Sequence, residues 1–82
     1  MRDFILTAHA EAVVAERGIA IEWIAVTLGE PESVIADSDD PELYHALRRI
    51  PEFGGRILRV VFNQTSVRKR IVTAYFDRTL KR

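Results

Sequence analysis

Two segments in the second half of the chain alternate with a period of two, and this limits the fold more than any other feature. Residues 57–63 read Ile-Leu-Arg-Val-Val-Phe-Asn and residues 71–77 read Ile-Val-Thr-Ala-Tyr-Phe-Asp. Both are rich in β-branched and aromatic residues, and successive side chains of a strand point to opposite faces. Leu58, Val60 and Phe62 therefore share one face, as do Val72, Ala74 and Phe76, while Arg59, Val61, Asn63, Thr73, Tyr75 and Asp77 take the other. The polar residues 64–70 join the two strands as a hairpin. A sheet with a wholly apolar face needs a second layer to cover it.

The first third of the chain supplies that layer. Thr7 is placed to cap a helix over residues 8–17, with Ala10, Val13 and Val14 as its apolar stripe and Gly18 as its stop. Ile21, Trp23, Ile24, Val26, Thr27 and Leu28 form a second helical pattern, ended by Gly29 and Pro31. Only Gly18, Ile19 and Ala20 link the two, so the helices turn sharply and Ile19 pins the corner into the core. Phe4, Ile5 and Leu6 are a β-prone start, and residues 33–36 read as a short strand. The acidic run Asp37, Ser38, Asp39, Asp40 is a solvated turn, because it lacks the turn-fixing glycine of a calcium loop. Residues 43–50 are ambiguous. Asp40-Pro41-Glu42 resembles a helix start and Leu43, Leu47 and Ile50 have helical spacing, yet Leu43, His45, Leu47 and Arg49 also alternate, and Pro51-Glu52-Phe53-Gly54-Gly55 follows as a reversal.

At 82 residues there is room for one core, so residues 1–82 are expected to form a single domain, helical over 7–30 and sheet over 33–78. No apolar run approaches the roughly 18 residues of a membrane span, and the start of the chain has no signal-peptide pattern, so a cytoplasmic protein that does not engage a membrane is expected. With no cysteine, thiolate catalysis, disulfides and thiolate metal sites are excluded. Two histidines without sustained ligand spacing point to no metal and no cofactor. The zero formal charge hides a division: residues 1–42 carry two basic against ten acidic side chains, residues 43–82 ten against two. The basic half is nearly all arginine, whose fork of donors suits phosphate or carboxylate. The two halves can also simply neutralise each other.

Several ordered segments resemble a family of small bacterial proteins, the domain-of-unknown-function family 4258. They are Thr7-Ala8-His9-Ala10, Glu16-Arg17-Gly18-Ile19, residues 28–31, His45-Ala46-Leu47-Arg48-Arg49-Ile50-Pro51-Glu52, Arg56-Ile57-Leu58-Arg59-Val60-Val61 and Val72-Thr73-Ala74-Tyr75-Phe76-Asp77-Arg78. The family looks related to the fold of barnase-like, colicin-like and RelE-type ribonuclease toxins. That resemblance implies an α+β fold with two N-terminal helices on one face of a roughly four-stranded antiparallel sheet, and it makes residues 43–50 a strand paired with residues 57–63. It also implies a toxin-like ribonuclease, although a shared fold does not by itself establish chemistry.

Metal-independent RNA cleavage needs a base for the ribose 2′-hydroxyl, an acid for the leaving oxygen and cations for the developing charge. On the family-like segments and the strand faces, His9, Arg59, Thr73 and Tyr75 are expected to form the catalytic centre, with His45, Arg49, Arg56, Asn63 and Arg78 binding substrate. Each also has a structural reading. His9 can serve the helix start, Thr73 can satisfy a cross-strand bond, Asp77 can pair with Arg59, Arg17 can close an ion pair at the helix corner, and Phe4 and Trp23 can anchor the core. The rival function is a non-catalytic binding or oligomerisation module. The partners expected are RNA, a protein such as a neutralising antitoxin, or a second copy paired through an exposed strand.

Overall fold

The computed structural model describes residues 4–64 and 68–78. The elements run β1 (Phe4–Leu6), α1 (Ala8–Arg17), α2 (Ile21–Gly29), β2 (Ser33–Ala36), β3 (Leu43–Ile50), a 3-10 turn (Pro51–Phe53), β4 (Arg56–Asn63) and β5 (Lys69–Asp77). Both α1 signals act as read. Thr7 Oγ1 accepts from the Ala10 amide at 3.1 Å, and Gly18, at φ 66°, lets its own amide reach the Ala15 carbonyl and that of Ile19 reach Val14. This pair of bonds closes the helix and folds Ile19 back onto Val14, both buried. At the far end of α2, Arg48 donates to the Glu30 carbonyl at 2.6 Å, tying the helix to β3.

The five strands lie in the order β1-β5-β4-β3-β2. Residues 43–50 form a strand: β3 is antiparallel to β4 from Leu43↔Asn63 to Ile50↔Arg56 and to β2 on its other side. As a strand it pairs with both β2 and β4, partners that a helix from Pro41 would leave without a neighbour. The reversal into β4 uses Gly54 and Gly55 at φ 68° and 72°, a conformation that costs other residues a Cβ clash.

Two details depart from the sequence reading. The sheet is mixed and has a fifth strand, because β1 runs parallel to β5 from Phe4↔Lys69 to Leu6↔Ile71 and the Thr7 amide donates to the Ile71 carbonyl at 3.1 Å. The sheet therefore also draws on residues ahead of the helices. The second departure lies in β5, where Val61↔Thr73 is followed by Phe62↔Ile71. Val72 is thus the extra residue of a bulge, and Ile71, fully buried, takes the core position expected of Val72. Of the predicted 64–70 hairpin, residues 65–67 lie outside the described residues, and β5 already begins at Lys69.

The helices cover one face of the sheet. Ala10, Val14, Ile19 and Ile24 pack there on Ala46, Ile50, Leu58, Val60, Phe62, Ile71 and Ala74. Phe4 is in this core, and Trp23 borders it through ring contacts with Phe53 and Phe76, centroids 5.4 and 5.9 Å apart. Among the described residues Arg17 forms no ion pair at the corner. Its Nη1 donates to the Ala74 carbonyl at 2.9 Å and its guanidinium lies 6.0 Å from the Tyr75 ring centre, closing the margin of β5 that β1 leaves uncovered. No helix among the described residues is long and apolar enough to cross a membrane.

Candidate active site

The face away from the helices carries a row of four hydrogen-bonded side chains. Alternation puts His45 on this face of β3, Arg59 on that of β4 and Asp77 on that of β5. The register sets Leu47 opposite Arg59 and Ile57 opposite Asp77, so His45, Arg59 and Asp77 are successive diagonal neighbours across three strands. Asp37 joins from the turn after β2. Its Oδ2 accepts the amides of Asp39 and Asp40 at 3.1 and 2.9 Å, and its Oδ1 lies 2.7 Å from His45 Nε2. The acidic run is a turn, as read, and it also delivers one carboxylate to the sheet.

The bonding fixes the protonation of the imidazole. Arg59 Nη1 is 2.7 Å from His45 Nδ1, and a guanidinium can only donate. Nδ1 is therefore the acceptor, and Nε2 carries the proton that it donates to Asp37. His45 is a neutral imidazole held at both nitrogens. On its other side Arg59 donates from Nε and Nη2 to Asp77 Oδ2 at 2.9 and 2.7 Å. Three of the five guanidinium N–H groups are thus engaged, leaving one each on Nη1 and Nη2 for a further acceptor. The bond from His45, followed by the amides of Asp40 and Asp39, holds the Asp37 carboxyl below its ordinary value of 3.8. Asp37 stays a carboxylate and keeps the imidazole proton on Nε2.

Burial rises along the row. The side chains of Asp37 and His45 keep 22% and 15% of their surface exposed, those of Arg59 and Asp77 13% and 9%. Leu47, Ile57 and Val61 on the same face are buried beside it. The accessible end is thus the Asp37–His45 end. Among the described residues, a hollow of about 280 Å³ beside Trp23 and Pro51 and another of about 380 Å³ beside Pro41 and Tyr44 are lined by neither His45 nor Arg59. No group of three or more histidine or carboxylate side chains able to hold a metal occurs among the described residues.

The residues singled out in the sequence divide between the two sides. Arg59, Thr73 and Tyr75 share the open face, and Tyr75 is directly opposite Arg59. His9 is not with them: it is exposed on the first turn of α1, which packs on the other face. His45 and Arg49 are on the open face, and Arg49 Nε is buried with no hydrogen-bond partner. Asn63 ends the same face of β4, opposite Leu43. Arg56 is exposed with its guanidinium 5.2 Å from the Phe53 ring centre, and Arg78 is exposed past the end of β5. The Asp77–Arg59 pair was legible as a same-face pairing, but Asp37 was not, because its role depends on the 43–50 register.

A family model of a domain of unknown function, DUF4258, matches residues 6–76, a span that takes in three of the four members of the row, Asp37, His45 and Arg59. The chain belongs to the DUF4258 family. The match begins at the last residue of β1 and ends one residue before Asp77, so the DUF4258 core coincides with the two helices and the antiparallel part of the sheet. No curated protein and no solved structure matches this DUF4258 chain.

Proposed function

We propose that this DUF4258 protein is a toxin-like, metal-independent ribonuclease whose reacting histidine is His45. The observation that carries the reading is the Asp37–His45–Arg59 arrangement: a carboxylate fixes the proton on Nε2, and the Nδ1 lone pair faces a cation able to bind phosphate. When a phosphodiester takes the Arg59 Nη1 donor, Nδ1 is released beside it. The imidazole then accepts the 2′-hydroxyl proton, the 2′-oxygen attacks phosphorus, and the bond to the 5′-oxygen breaks. That oxygen takes a proton from Tyr75 or water, leaving a 2′,3′-cyclic phosphate and a 5′-hydroxyl. Arg59, held by Asp77, stabilises the added charge on the phosphoryl oxygens. The resemblance to ribonuclease toxins supports the same chemistry, as does the accessibility of the His45 end.

One observation favours the rival reading, a non-catalytic binding surface: among Asp37, His45, Arg59 and Asp77, two carboxylates stand against one guanidinium. Incubation of mixed-sequence RNA with the protein in excess EDTA separates the two. Cleavage giving cyclic phosphate ends, reduced about a hundredfold or more in His45→Ala and unchanged in His9→Ala, supports the ribonuclease, since a positioned base contributes roughly 10²–10⁴-fold. No cleavage by the wild type, or cleavage indifferent to His45, overturns it.

A further inference from the structure

We propose that the outer edge of β2 is a docking site for an extended, lysine- or arginine-rich segment of a partner protein, which adds to the sheet as a sixth strand. β2 is the last strand on its side, and all four of its residues are exposed, Val34 and Ile35 by 49% and 46%. The bond from the Asp37 amide to the Leu43 carbonyl marks a hydrogen-bonded pair. By antiparallel alternation Ile35 also bonds toward β3, and Val34 and Ala36 turn their N–H and C=O groups outward. Those are the groups an added strand uses.

The β2 strand contains no proline and no lysine, and its register with β3 has no bulge. On the other side of the sheet, where β5 runs on past β1, the Arg17 guanidinium occupies the Ala74 carbonyl. The charge around β2 selects the occupant. Glu30, Glu32, Asp37, Asp39, Asp40 and Glu42 flank the strand, and no lysine or arginine occurs between Arg17 and Arg48. A second copy of β2 brings six acids against six, which opposes self-pairing, whereas a cationic strand is attracted at both ends. Backbone bonds supply the affinity, the apolar Val34 and Ile35 side chains the contact on either face, and the acids the preference for a basic partner.

The test uses a blocked peptide of alternating lysine and valine as the probe, with an alternating glutamate–valine peptide as the control. The lysine peptide should bind and slow hydrogen exchange at the Val34 and Ala36 amides. Val34→Pro removes one outward N–H without touching the β2–β3 ladder and should weaken binding about tenfold or more, as should the combined Glu32→Gln, Asp39→Asn and Glu42→Gln. Ala36→Pro serves the same purpose if Val34→Pro fails to fold. The proposal is overturned if the lysine peptide leaves those amides unprotected, if the proline variant binds as well as the wild type, if the glutamate peptide binds equally, or if the chain dimerises through β2 instead. Val34 lies opposite Ala46, on the other face of the sheet from the row, so RNA cleavage by Val34→Pro is an independent readout.

Discussion

The two faces of the sheet come from the same strands and do different work. Under the helices Leu58, Val60, Phe62, Ile71 and Ala74 are sealed from water by Ala10, Val14 and Ile24, and that face holds the fold together. On the open face the intervening positions carry Asp37, His45, Arg59 and Asp77 in one hydrogen-bonded line, bordered by Leu47, Ile57 and Val61. An apolar layer needs only volume and shape, whereas a charged row needs each donor matched to an acceptor, because an unmatched buried charge costs several kcal/mol. The covered face thus rests on volume and shape, and the open face on the matching of each donor to an acceptor.

Substitutions that act on one face at a time test this contrast. Arg59→Ala removes two bonds from the largely buried Asp77 carboxylate and one from His45, and should cost about 4 kcal/mol in urea unfolding. The double variant Arg59→Met/Asp77→Leu should recover most of that loss while leaving the protein without RNA cleavage. On the covered face Leu58→Ala should cost about 3 kcal/mol, with cleavage per folded molecule unchanged. Were Leu58→Ala to abolish cleavage at full folding, the division between the faces would fail.

Much of the covered face was legible because it depends on local rules. The Thr7 and Gly18 signals bounded α1, Gly18-Ile19-Ala20 set the corner, and period-two alternation placed Leu58, Val60 and Phe62 inward. The bulge at Val72 was not legible, since a single inserted residue is decided by the pairing of β4 with β5 and leaves no local mark. The β-prone stretch Phe4–Leu6 was legible as β1, but its place in the sheet was not, because its parallel pairing with β5 is long-range. The open face was half legible: Arg59, Tyr75 and Asp77 follow from alternation alone. His45 and Asp37 required residues 43–50 to be a strand, and only the register shows that a turn carboxylate reaches an imidazole eight residues away.

Two smaller effects sharpen the comparison further. Arg17→Ala should cost about 1 kcal/mol, the worth of a single hydrogen bond, by uncovering the Ala74 carbonyl at the margin of β5. Asp37 contributes through its lowered carboxyl pKa: its stabilisation is complete above the unfolded value of 3.8 and is lost as pH falls through the lower folded value. Thermal melting followed from neutral pH down through that range should therefore decline less steeply for Asp37→Asn than for the wild type.

The most direct measurement is nitrogen-15 NMR of the His45 ring, free and with a 2′-deoxy oligonucleotide that binds like RNA but cannot be cleaved. The free protein should show a neutral ring protonated at Nε2, with Nδ1 accepting from Arg59, and the oligonucleotide should release Nδ1 as Arg59 turns to phosphate. A ring protonated at Nδ1 in the free protein, or an Nδ1 signal unmoved by saturating oligonucleotide, would contradict the assignment of His45 as the base.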